Sequence, residues 1–98
     1  MSNHLKAIAE ELKSIAENHI KITHPKAAIK CHISSSDFLV TCHMFMFPPE
    51  GKQQPLRNAK IFINEREIHF LQKTYYNCDP DMLSALIRNL KVWIARLE

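Results

Sequence analysis

The spacing of apolar residues changes period twice along this chain, and that change limits the fold more than any single motif. Leu5, Ile8, Ala9, Leu12, Ile15 and Ala16 recur at three- and four-residue intervals, which puts one apolar stripe on a helix. Ser2 or Asn3 can cap its start, and Lys6 with Glu10 and Lys13 with Glu17 are spaced as i,i+4 pairs on its surface. The β-branched run from Ile20 to Thr23 and then Pro25 oppose continuation, so the helix is expected to end near Asn18.

From Ala27 the period becomes two. Ala27, Ile29, Cys31 and Ile33 alternate with Ala28, Lys30, His32 and Ser34, the pattern of a strand with one apolar side. Ser34-Ser35-Ser36-Asp37 reads as a turn and Phe38 to Phe47 as the returning strand of a hairpin. The stretch Pro48 to Pro55 holds three of the five prolines and the one glycine, and is read as a surface connection. Asn58 to Ile63 and Glu67 to Lys73 form a second hairpin around Asn64-Glu65-Arg66, and Thr74 to Cys78 lead out of it.

A helical period returns after Asp79-Pro80-Asp81, which combine an N-cap, a proline at the first helical position and a carboxylate at the positive end of the helix. Leu83, Leu86, Ile87, Leu90, Ile94 and Leu97 form its stripe, and Arg88, Lys91 and Arg96 lie towards its negative end. The fold class expected is therefore α+β: an N-terminal helix, a four-stranded antiparallel sheet of two hairpins, and a C-terminal helix, with both helices on one sheet face. At 98 residues the chain suits one domain spanning 1–98.

Composition narrows the function classes. With 46% hydrophobic and 23% charged residues the chain belongs with globular proteins rather than disordered ones. No apolar run approaches the roughly 18 residues that cross a bilayer, and the charged N-terminal segment lacks the apolar centre of a signal peptide, so a cytoplasmic location without a membrane is expected. One glycine cannot build a phosphate-binding loop, and the serines lie in a turn without the context of an activated nucleophile. An enzyme is not expected, nor is a cofactor.

Cys31-His32 and Cys42-His43 twice set a thiol beside an imidazole. Neighbours in a strand point to opposite faces, so core thiols and outer-face imidazoles are expected instead of a metal site. Pairing Ile33 with Phe38 would leave Cys31 and Cys42 diagonal, while a two-residue slip would oppose them directly; free thiols are expected with Cys78 as the third. The formal charge is +3 with the six histidines neutral, and those imidazoles can add positive charge in mild acid.

The candidate site is the sheet face away from the helices. By strand parity it carries Lys30, His32, Leu39, Thr41, His43, Phe45, Phe47, Lys60, Phe62, His69, Leu71 and Lys73, a mixture of aromatic, aliphatic and cationic groups where an exposed antiparallel face usually alternates more cleanly. Lys30, His32, His43, Phe45, Phe47, Lys60, Phe62, His69 and Lys73 are the expected partner-binding residues. Apolar anchors within a polar rim suit a protein partner or a homodimer, and hence a small regulator, inhibitor or adaptor. Aromatics flanked by cations also suit single-stranded RNA or DNA. The order helix, strands, helix is similar to that of the small Alu-domain subunits of the signal recognition particle, whose sheets contact RNA; the similarity is one of element order, and it assigns no residue a role.

Overall fold

The computed structural model describes residues 2–36, 39–48 and 55–96, apart from the side chains of Ser2 and Asn3. The cap expected from those two side chains, Phe38 as the start of a strand, Leu97 in the closing stripe and residues 49–54 of the connection lie outside the described residues. The described elements are α1 (Ser2–Thr23), β1 (Ala28–Ser35), β2 (Val40–Phe47), β3 (Arg57–Ile63), β4 (Glu67–Phe70), β5 (Lys73–Tyr76) and α2 (Pro80–Ala95). The strands form one antiparallel meander in chain order, and both helices pack on the same side of it.

The α+β class and the two covering helices agree with the apolar periods. The sheet has five strands rather than four, because the segment from Glu67 to Lys73 is not continuous. It turns at Leu71 and Gln72, both at positive φ (51° and 67°), and Lys73–Tyr76 returns beside β4. Two positive-φ residues make the tight primed turn whose twist matches that of the strands it joins. Asn-Gly or Asp-Gly ordinarily signals this turn; Leu-Gln does not.

Helix α1 also runs a turn past Asn18. Ile20 is only 2% exposed and extends the buried series Leu5, Ala9, Leu12 and Ala16. Burying an isoleucine stabilises by about 1.5–3 kcal/mol, against a helical disadvantage of at most about 0.7 kcal/mol for a β-branched residue, so packing prevails. The His24 amide still donates to the Ile20 carbonyl, at 2.8 Å, before Pro25 ends the helix. Among the described residues Glu67 with His69 is the one ion pair, so the Lys6–Glu10 and Lys13–Glu17 pairings are not closed.

The core lies between the helices and the inner sheet face, where Val40, Cys42, Met44 and Met46 of β2, Ile61 and Ile63 of β3, and Ile68 and Phe70 of β4 are essentially sealed from solvent. Helix α2 contributes Leu86, Leu90, Trp93 and Ile94; Trp93 falls outside the expected stripe, yet it is 5% exposed. The start of α2 forms as its sequence implies, Asp79 accepting from the amides of Asp81 at 3.0 Å and Met82 at 3.4 Å. Among the described residues no helix is long and apolar enough to cross a membrane.

Candidate functional site

Register decides which side chains meet on the outer sheet face. Ile33 pairs with Cys42, not with Phe38, because the first hairpin closes at Ser35 and Val40, where the Ser36 amide donates to the Leu39 carbonyl at 2.8 Å. This shift sets His32 directly across from His43, and His43 directly across from Lys60. Three cationic or protonatable groups therefore form one row over three strands, a row that alternation alone does not reveal.

Phenylalanines flank that row. Lys30 pairs with Phe45, Ala28 with Phe47, and Phe62 with Thr41 on one side and His69 on the other. The Phe45 ring packs against the His43 ring at 4.1 Å between centroids, inclined by 39°, and the Lys30 ammonium stands 5.8 Å from the centre of Phe47. Phe45 and Phe47 are half-buried by these neighbours, whereas Phe62 is 39% exposed. His43 Nε2 is screened from solvent and has no hydrogen-bond partner among the described residues.

At the far side of the face Glu67 meets His69 Nε2 at 3.0 Å, and Thr74 Oγ1 lies 3.2 Å from His69 Nδ1. Glu67 shares the outer face with His69 by alternation along β4, while Thr74 and Tyr76, the last 50% exposed, join that face although the sequence pattern does not place those two there. The position of those two follows from the turn at Leu71 and Gln72. Leu39 lies in the first hairpin turn, at the rim.

Of the nine expected partner-binding residues, Lys30, His32, His43, Phe45, Phe47, Lys60, Phe62 and His69 share this face. Lys73 does not. It pairs with the inward-facing Phe70 and lines a cleft on the helix side with Arg57, Tyr75 and Trp93. Leu71 is likewise displaced, into the turn and the rim of that cleft. Two residues spent in the turn reverse the parity that a continuous strand would have kept.

Cys31 and Cys42 occupy the other side of the sheet from His32, His43 and His69. Cys42 is sealed in the core, Cys31 is half-buried, Cys78 is exposed, and all three are free. Cys31 and Cys42 stand diagonally across β1 and β2. Interaction with the Cys42 thiol and then burial hold Cys31 far above the ordinary thiol value. The same interaction moves Cys42 down, aided by Lys13 and opposed by burial. No family model, curated protein or solved structure matches the chain.

Proposed function

We propose that this chain is a non-catalytic binding protein, a small cytoplasmic regulator, inhibitor or adaptor, that recognises an acidic protein segment through the outer sheet face. The observation that carries the reading is the row His32–His43–Lys60 set among Phe45, Phe47 and Phe62. Among the described residues of that face Glu67 is the one acid, and it is already engaged by His69. Charge complementarity therefore favours an acidic occupant, with apolar side chains to meet the phenylalanines. Three free thiols fit a reducing compartment.

The same charge pattern disfavours a homodimer through this face, since a two-fold axis would set cations against cations. Single-stranded nucleic acid is less well supported than protein, because base stacking needs free ring faces. His43 packs on Phe45 and Lys30 lies over Phe47, leaving Phe62 as the aromatic of the three most open to solvent.

Displayed random peptides selected on the immobilised chain test the reading, with a labelled thymidine oligonucleotide as the competing ligand. Selection should enrich peptides that combine acidic and apolar residues, and Lys30→Gln with Lys60→Gln should abolish the enrichment while leaving the unfolding midpoint unchanged. Enrichment without acidic residues, enrichment that survives the double variant, or tight salt-sensitive binding of the oligonucleotide alone would overturn it.

A further inference from the structure

On the opposite side of the sheet, the turn at Leu71 and Gln72 delivers Lys73 to a cleft between β3, β4, β5 and the C-terminal half of α2. We propose that this cleft binds a small organic anion: one carboxylate or phosphate head on an apolar body about the size of an aromatic ring. Its volume is about 340 Å³, at the small end for ligand pockets. Phe70, Leu71, Val92 and Trp93 supply apolar lining, and Arg57, Lys73 and Arg96 supply cations.

Three features point to an anion. Among the described residues no acidic side chain lines the cleft, and Arg57, Lys73 and Arg96 make no ion pair. Arg57 is preorganised: its guanidinium lies 4.8 Å from the Trp93 ring centre, and Nη1 is committed to the carbonyls of Trp93 and Arg96. Those two bonds offset the negative end of α2, while among the described residues Nε and Nη2 make no hydrogen bond, which leaves that edge for side-on pairing with two oxygens. Tyr75 accepts from the Asn89 amide at 2.7 Å, which leaves the phenolic proton as a further donor within the same lining.

Trp93 is the one tryptophan, so its indole N–H resonance and its fluorescence report directly on the cleft. Phenyl phosphate and phenylacetate separate the phosphate and carboxylate heads; benzyl alcohol lacks the charge and inorganic phosphate lacks the ring. Both organic anions should move the Trp93 signals with Kd below about 1 mM, and benzyl alcohol and inorganic phosphate should each bind about tenfold more weakly. Lys73→Gln and Arg96→Gln, both at exposed positions, should each weaken the anions about five- to tenfold. The proposal is overturned if neither anion moves Trp93 at about 10 mM, if benzyl alcohol or inorganic phosphate binds as tightly as the organic anions, or if the glutamine variants bind like the parent chain.

Discussion

The guanidinium of Arg57 and the ring of Trp93 stand 4.8 Å apart, and the same arginine donates from Nη1 to the Trp93 carbonyl at 3.2 Å and to that of Arg96 at 2.6 Å. Helix α2 has no basic residue in its own last turn, so its final carbonyls are met from elsewhere: Arg57 reaches over from β3, and His24 Nε2 lies 3.1 Å from the Ala95 oxygen. One side chain thus pins the end of α2 to the third strand.

Arg57→Ala should destabilise the fold by about 1–3 kcal/mol, since it removes a ring contact and leaves carbonyls without their donor. Arg57→Lys should recover less than half of that, because an ammonium cannot bridge two carbonyls while stacking on the indole. Urea unfolding of the three chains measures both effects. A lysine variant as stable as the parent would mean that charge alone holds the helix end.

Leu90 is wholly buried beneath the sheet, whereas Val92, two residues on, is 43% exposed. Leu90→Ala should cost about 2–5 kcal/mol through lost transfer energy and a residual cavity. Val92→Ala should stay within about 0.5 kcal/mol. Equal effects in denaturant unfolding would contradict the orientation of α2.

How far the fold was legible follows from the strength of each local signal. Asp79-Pro80 marks the α2 start because one side chain and one ring satisfy local geometry whatever packs around them. Burial of Ile20 and Trp93 depends on what the sheet presents to each helix, which periodicity alone does not state. The outer-face residues of β1, β2 and β3 could be read from alternation, since those strands are straight. Lys73 could not, because nothing in Leu71-Gln72 announces a reversal. The facing of His32, His43 and Lys60 needed the register, and the register depends on where the hairpin closes, with Ser35 opposite Val40 and the Ser36 amide on the Leu39 carbonyl.

The Cys31–Cys42 pair gives stability a pH dependence of definite sign. From 9.0, the ordinary thiol value, down to the lower value of Cys42 in the fold, the folded chain has released a proton that the unfolded chain retains, so stability rises with pH. Above 9.0 the unfolded chain releases the Cys31 proton while the folded chain holds it, so stability falls. The stability difference between the parent chain and Cys31→Ala/Cys42→Ala should therefore peak near pH 9.0. Urea midpoints of both chains between about pH 7 and pH 10 measure this difference, and a flat difference would dissolve the thiol pair.

The turn that redirects Lys73 is itself open to improvement. Gln72 sits at φ 67°, a region where a side chain costs about 1–2 kcal/mol and glycine is accommodated freely. Glycine also gives the unfolded chain more freedom, which offsets part of that gain. Gln72→Gly should accordingly raise stability by about 0.5–1 kcal/mol in urea unfolding. Gln72→Pro, whose ring fixes φ near −65°, should instead disrupt the β4–β5 hairpin and carry Lys73 away from the cleft. The Trp93 fluorescence of the folded chain should change for proline and stay unaltered for glycine, because Lys73 and Trp93 line the same cleft. A glycine variant less stable than the parent would show that the primed turn is not the geometry the chain adopts between β4 and β5, and would return Lys73 to the outer face.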